Sequence, residues 1–437
     1  MDTRADYLKK SILVDSLEKN IDYCIANIEF YKVKFKKLYN QNIGLKNIEQ
    51  FFQLPFTSKS DVQRGFPFGF LATDLTEIVA YHESSGTTGG TDKSSRSSSY
   101  YTKSDVDKDI QRRNIPFLRF SCDDVVFNAL PQAYTSSGAS FSKLFSSIGS
   151  CVITADTGSN YSSYRRQFEL IIKLKPTVLI SSYPFVYSTL RHKLRVGEDA
   201  FSNIRAVVLC GMSASKQAMV KLSKEFNNAF VCNTYGMSEF GAIATGCNAG
   251  HAHVNDESFF IEIINPATTA HVHEGEPGEI VITTLDRKGS PRIRYRTGDI
   301  GRMTYGTCDC GSGAPRIEVM GRLSQLIEYQ GVRLLPSDVE RILCGHESTT
   351  GIFNAEVLEN GNMKITCDTL RQADKEGIAR DLMNSFQKDL KISVQVECVN
   401  VGETHKFLFA PSDKSAFKTI LDFKNKLQSE DEWLVTY

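Results

Sequence analysis

From residue 125 the chain reads as short apolar runs, VVFNAL, CVITA, TVLIS, AVVLC and AFVCNTYG, separated by longer helix-compatible segments. A run of four to six apolar residues bounded by turn signals is a strand buried on both faces. Repetition of that unit with helical spacers requires a parallel or mixed α/β sheet covered on both sides, and ligands of such sheets collect where strands end and loops begin. The first fifty residues carry Leu17, Ile21, Ile25 and Ile28 at helical spacing and are expected to pack as helices.

The texture changes after residue 255. FFIEIINP, GEIVITTL, PRIRYRTGDIGRM and RIEVMGR, with turn residues every ten or so positions, predict a β-rich subdomain of hairpins. Beyond Arg322 the order is a strand, turn and helix in LIEYQGVRLLPSDVERIL, a hairpin with Asn-Gly at its turn in FNAEVLENGNMKITCDT, a helix from about Lys375 to Leu390, and a strand near VQVECVNV. That order fits a compact α+β domain, with the boundary at Gly321 to Gln325. The serine-dense stretch from Ser94 to Tyr101 reads as a mobile loop.

Charge limits what the chain can bind. Lys plus Arg and Asp plus Glu each total 51 in 437 residues, so no broad field exists to grip nucleic acid or an anionic membrane, and a polyanionic ligand must be held locally. The 11 cysteines are scattered and odd in number, unlike a secreted disulfide scaffold, and no stretch approaches about 18 apolar residues. A soluble, cytoplasmic protein is expected.

The strongest local signal is Ser84-Ser85-Gly86-Thr87-Thr88-Gly89, following EIVAYHE. Glycines let a backbone approach a ligand closely, while hydroxyls and amides donate hydrogen bonds, so the loop suits polyphosphate; a flexible surface turn is the alternative. Asn233 opens the string Thr234-Tyr235-Gly236-Met237-Ser238-Glu239, and Tyr295-Arg296-Thr297-Gly298-Asp299 closes another expected strand. Asp299 has two acceptor oxygens for a ribose diol, or it caps a hairpin turn. Gly321-Arg322 stands at the boundary, where Arg322 can donate to ribose or phosphate.

In this order and spacing these strings resemble the adenylate-forming, AMP-binding superfamily of acyl-CoA synthetases, and most closely the phenylacetate-CoA ligase family. The resemblance runs from LPFTSKSDVQRGFPFG to GRLSQLIEYQGVRLLPSDVE. It implies a large N-terminal adenylation domain over residues 1–322, with mixed sheets covered by helices, and a small mobile α+β domain over 323–437. It also implies ATP-dependent conversion of a small aryl or polar carboxylic acid to an acyl-adenylate, then a thioester with coenzyme A. Ser84 to Gly89 would wrap the β- and γ-phosphates, Ser238 would contact the α-phosphate and Glu239 would hold Mg²⁺. Tyr235 would lie against adenine, with Gly211 and Met212 as the other wall, and Asn233, Gly236 and Met237 would complete the nucleotide site. The acid would sit near Tyr134 to Ser140, Tyr183, Gly211 and Gly236, on loops at strand ends. A homodimer is implied by resemblance alone.

Cys308-Asp309-Cys310 offers two thiolates on a tight turn, and Cys247 lies upstream with His251 and His253 close behind. Three sulfurs and one imidazole would complete a closed, structural Zn²⁺ site; free thiols and solvent-facing histidines are the alternative. Some phenylacetate-CoA ligase relatives carry cysteine and histidine at similar places, which favours His253 as the fourth ligand.

The chain departs from the family pattern in three places. Gly89 is followed by Gly90, Thr91 and Asp92 rather than by a Gly-Lys-Pro-Thr ending, with Lys93 further on. Leu323-Ser324-Gln325 lacks the acidic hinge residue. Near the C-terminus Ala416 falls at the expected catalytic lysine, so Lys414 is taken for that role, with Lys406 and Lys418 as weaker candidates. Two alternatives therefore stand beside the acid-CoA ligase: acyl transfer to an amine or carrier protein, and a degenerate nucleotide-binding homologue.

Overall fold

The structure is a computed structural model that describes residues 3–8, 11–36, 44–84, 96–112, 120–156, 162–183, 185, 186, 189, 201–212, 214–369 and 374–400. The chain forms two compact units. One comprises Met1–Arg119, Gln132–Ile148 and Thr234–Val319; the other comprises Phe120–Pro131, Gly149–Asn233 and Met320–Tyr437. The strand Phe230–Met237 begins in the second and ends in the first.

In the first unit the helices Ser11–Asn27 and Glu29–Phe35 turn Leu17, Ile21, Cys24, Ile28, Tyr31 and Phe35 into one core, each at most 2% exposed. Ile25 is only partly buried, because the chain breaks helix at Ile28 and the buried stripe passes through Cys24 instead. The expected hairpins are present: Phe259–Ile264 pairs antiparallel with Gly278–Thr284, which pairs with Tyr295–Thr304. Gly241–Gly246 and Ala252–Val254 continue the antiparallel pattern.

One buried ion pair ties these parts together. Arg294 is 3% exposed, and its guanidinium donates to both oxygens of Glu262 and to the carbonyls of Phe52 and Leu54. His271 Nε2 lies 2.9 Å from the same carboxylate. Just beyond, Thr57 donates its N–H to Arg294 O and accepts from Arg296 N, both at 2.9 Å.

The serine-dense stretch corrects the sequence reading. Ser98–Thr102 is a buried strand paired antiparallel with Ile78–Glu83, not a loop. Hydroxyls tolerate burial when they are hydrogen-bonded. Ser98 Oγ and the Tyr100 hydroxyl donate to Pro67 O at 2.7 and 2.9 Å, and Tyr100 N donates to Ser290 Oγ at 2.9 Å.

In the second unit the parallel strands Val125–Asn128, Cys151–Thr154, Val178–Ser181 and Ala206–Cys210 stand where the apolar runs put them, with Val125–Asn128 between Cys151–Thr154 and Val178–Ser181. The Asp124 carboxylate ties three strand starts, accepting from Thr177 Oγ1 at 2.7 Å, Arg205 Nη2 at 2.6 Å and Ser121 N at 3.0 Å. Residues 327–400 bring their own core. Thr349–Val357 and Met363–Thr369 form the Asn-Gly hairpin, Lys375–Leu390 buries Ile378, Leu382 and Phe386, and Val394–Asn400 pairs parallel to Met363–Thr369. Among the described residues no helix is long and apolar enough to cross a membrane.

Glu340, on the helix Pro336–Gly345, accepts a hydrogen bond from Ser215 N at 2.9 Å while only 4% exposed. Burial pushes its carboxyl up to about 7, partly offset by hydrogen bonds from Tyr183 and Ser215. An unfolded glutamate loses its proton near 4.5, so between there and about 7 the folded chain holds the extra proton. Stability should therefore fall as pH rises through that window, by about 3 kcal/mol, and level off above it. Glu340→Gln should flatten the slope; urea-unfolding free energies at pH 5 and 7.5 that change equally in parent and variant would refute this.

Candidate nucleotide site and metal-ligand cluster

The strand Phe230–Met237 carries the first site motif. Gly236 sits at a register shift opposite Ala242, and a Cβ there would lie 2.8 Å from Gly241 O, so the close approach admits only glycine. Tyr235 is 8% exposed, and its hydroxyl donates to Asp299 Oδ2 at 2.9 Å. The motifs around residues 235 and 299 therefore meet, 64 residues apart in sequence. Asp299 is 7% exposed and follows Gly298, whose φ is +73°. Its N–H donates to Thr297 Oγ1 at 3.0 Å. The Tyr235 hydrogen bond orients the Asp299 carboxylate, a group whose two oxygens accept about four hydrogen bonds in all.

The chain turns directly after Met237, with Phe240 N donating to Met237 O at 3.0 Å. Glu239, inside that turn, is 3% exposed. Burial and then the Glu239 charge hold the Tyr295 phenol well above its ordinary value. Tyr101 and Arg287, absent from every recognised string, also touch this turn. Tyr101 closes the serine-dense stretch that reads as a loop, and Arg287 is a single arginine in a turn segment, so neither carries a site signal.

The other site residues are placed as follows. Ser84 exchanges hydrogen bonds with Ser97, its N–H to Ser97 O at 3.0 Å and its Oγ from Ser97 N at 3.2 Å. Ser85, Gly86, Thr87, Thr88, Gly89 and Lys414 lie outside the described residues. In the second unit, Asn233 accepts from Ala214 N at 3.1 Å and donates to Ala214 O at 2.7 Å, so it fixes the loop that follows Gly211 and Met212. Arg322 is exposed at the end of Arg316–Arg322, its N–H bonded to Gln325 Oε1 at 3.0 Å. Of the region expected to hold the acid, Ser136 to Ser140 form the start of the helix Ser136–Ile148 rather than a loop, and Tyr134 is 66% exposed.

Cys247, His253, Cys308 and Cys310 form one cluster, with ligand atoms all within 4.8 Å of one another. Cys247 Sγ is 3.9 Å from Cys308 Sγ, and Cys310 Sγ is 3.3 Å from His253 Nε2. A tetrahedron with zinc bonds of the usual length has S···S edges of about 3.8 Å and S···N edges of about 3.6 Å, so the set fits. His253 Nδ1 lies 3.0 Å from Ala314 O, and donation there leaves Nε2 with its lone pair for a metal. His251 stands outside the cluster, its carbonyl accepting from Cys247 N at 2.7 Å. Register pairing of Arg316 with His253 and Ile317 with Ala252 joins the distant halves.

Tyr295-Arg296-Thr297-Gly298-Asp299 opens the strand Tyr295–Thr304 rather than closing one, so Asp299 lies within that strand, while Glu239 follows the end of Phe230–Met237. Residues 76–285 match the family described as AMP-binding enzyme. Curated relatives include the phenylacetate-coenzyme A ligases of Aromatoleum evansii, 25% identical with 89% of each chain covered, and of Thermus thermophilus, 27% identical with 81% of this chain and 79% of that one covered. Among solved structures, a 2-hydroxyisobutyryl-CoA ligase in the postadenylation state superposes with a TM-score of 0.79 at 17% identity, covering 96% of this chain and 91% of that one. A benzoate CoA ligase from Burkholderia xenovorans gives 0.55 at 17% identity, covering 81% and 70%. Over most of its length the chain is similar to these phenylacetate-coenzyme A ligases, and its central part matches the AMP-binding family model.

Gly236→Ala should destabilise the first unit by about 1–3 kcal/mol through overpacking against the Gly241 carbonyl. Chemical denaturation checks it, and an unchanged midpoint would show that the backbone yields without cost.

Proposed function

We propose that this protein is an AMP-forming acid-CoA ligase acting on a small carboxylic acid. The observation that carries the reading is the Tyr235–Asp299 hydrogen bond, which joins two nucleotide motifs on the strand that leads into Ser238 and Glu239. In the first half-reaction a carboxylate oxygen of the acid attacks the α-phosphorus of ATP, the bond to the β-phosphate oxygen breaks, and pyrophosphate leaves. In the second, the coenzyme A sulfur attacks the acyl carbonyl, the acyl–oxygen bond breaks, and AMP leaves.

Asp299 holds the ribose hydroxyls, and Tyr235 orients that carboxylate while its ring borders the base. Ser238 donates to the α-phosphate, and Glu239 is the carboxylate for Mg²⁺, which supplies charge neutralisation on the phosphates when bound. Ser84 to Gly89, Gly211, Met212, Asn233, Gly236, Met237, Arg322 and Lys414 keep the roles that the family resemblance gives them. So do residues 1–322 as adenylation domain and 323–437 as the small C-terminal domain. A homodimer, supported by resemblance alone, and a cytoplasmic setting, supported by the scattered cysteines, belong to the same reading.

The test is acid-dependent pyrophosphate release with ATP and Mg²⁺ over phenylacetate, benzoate, 4-coumarate, anthranilate and 2-hydroxyisobutyrate, followed by CoA-dependent AMP release. Turnover of at least one acid is expected, and Asp299→Ala should lower kcat/KM for ATP about 100-fold. No release across the panel sinks the ligase reading. Release without CoA dependence moves the acceptor to an amine or carrier protein.

Zinc at Cys247, His253, Cys308 and Cys310 completes the proposal. Burial pushes the Cys247 thiol up to about 11. Burial acts the same way on Cys308, yet hydrogen bonds from Cys310 and Cys247 win and hold that thiol below its ordinary value. With no open position, the metal staples two hairpins and takes no part in the reaction. Elemental analysis should find about one zinc per chain, and Cys308→Ser should lose it along with several degrees of melting temperature. Metal-free protein of unchanged stability would return the four residues to ordinary side chains.

A further inference from the structure

The turn that carries Ser238 and Glu239 is gripped from outside by residues that none of the nucleotide motifs contains. The Tyr101 hydroxyl donates to Ser238 O at 3.1 Å, Arg287 Nη2 donates to Phe240 O at 2.6 Å, and Ser136 Oγ donates to Met237 O at 3.3 Å. Tyr101 and Arg287 are 4% and 8% exposed, and the Arg287–Phe240 bond is buried away from competing water. They also hold each other, the guanidinium lying 4.2 Å over the centre of the Tyr101 ring. Burial raises the Tyr101 pKa, so the hydroxyl keeps the proton it donates.

A third residue fixes the spacing of the two. Asp105, 6% exposed, accepts from Thr102 N at 2.9 Å with Oδ2, and from Lys288 N and Gly289 N, each at 2.8 Å. These amides directly follow Tyr101 and Arg287 in the chain. One buried carboxylate thus staples together the backbones that present the clamping side chains. A charged group accepting three backbone donors is costly to disrupt and sets their separation firmly.

We propose that Tyr101 and Arg287 are positioning residues for adenylation, holding the Ser238 and Phe240 carbonyls so that Ser238 and Glu239 meet the nucleotide in one fixed geometry. The proposal rests on the acid-CoA ligase reading for its consequence in catalysis, though the clamp itself does not. The two residues act on the Ser238 and Phe240 carbonyls, respectively. Their effect is on alignment, where a displacement of about 1 Å costs about 100-fold in rate.

The experiment compares the parent with Tyr101→Phe, Arg287→Lys and Arg287→Ala by two measurements. Hydrogen exchange of the peptide spanning residues 235–241 should be at least about tenfold faster in Tyr101→Phe and Arg287→Lys, because the carbonyl anchors of the turn are lost or shortened. With an acid from the panel that the parent turns over, kcat for pyrophosphate release should fall about 10-fold in these two and about 100-fold in Arg287→Ala. KM for ATP should stay within about threefold, as should thioester formation from the synthetic acyl-adenylate. Tyr101→Phe keeps shape and packing, so it remains informative if Arg287→Ala does not fold. Exchange at the parent rate overturns the clamp whatever the activity. Parent kcat in both conservative variants overturns its catalytic role, as does a loss shared equally by both half-reactions or tracking a lowered melting temperature. Absence of turnover by the parent itself falls on the ligase reading, and the exchange measurement still decides the clamp.

Discussion

A guanidinium withdrawn from water must find an acceptor for nearly every N–H, and Arg294 finds them on two separate pieces of chain. Glu262 answers it from the strand Phe259–Ile264, and Phe52 and Leu54 answer it with carbonyls at the end of a short helix. Breaking one partner of such a pair leaves a buried charge uncompensated, at a cost of about 3–5 kcal/mol. That penalty fixes how the N-terminal helical segment meets the sheet, and it does so one residue before Tyr295, where the strand bearing Asp299 begins. The position of Asp299 is thus inherited from an ion pair that takes no part in binding.

The same logic recurs around the turn at Ser238 and Glu239. Asp105 collects backbone amides, and Tyr101 and Arg287 deliver hydrogen bonds to carbonyls. Around this turn, unlike at the Arg294–Glu262 pair, the hydrogen bonds run from buried polar side chains to main chain. Main-chain partners cannot change rotamer, so alignment set this way is stiffer than alignment set by surface ion pairs, whose members trade solvent for one another at little gain.

The fold was largely readable in the sequence, because strand and helix periodicities are local. The parallel strands, the Asn-Gly hairpin and the Lys375–Leu390 helix stand where the pattern put them. The serine-dense stretch failed for an instructive reason: its acceptors, Pro67 O and Ser290, lie 31 and 190 residues away, and composition is blind to distant partners. The site divides along the same line. Tyr235, Glu239 and Asp299 belong to compact strings, and Cys247, His253, Cys308 and Cys310 stand out by residue type. Tyr101, Asp105 and Arg287 act through contacts with distant or neighbouring backbone, which no spacing or composition announces.

The interleaving of the two units has a consequence for synthesis. The Tyr31 hydroxyl, buried in the first core, accepts from the N–H of Ile293, 262 residues later. At about 5–20 residues per second on a ribosome, that is a wait of roughly 15 to 50 s. Until the strands from Phe230–Met237 onward emerge, the helices Ser11–Asn27 and Glu29–Phe35 have an apolar stripe without the strands that share their core. A nascent chain must therefore shelter this apolar stripe for most of that interval, so the face that anchors the finished core is also a hazard during synthesis.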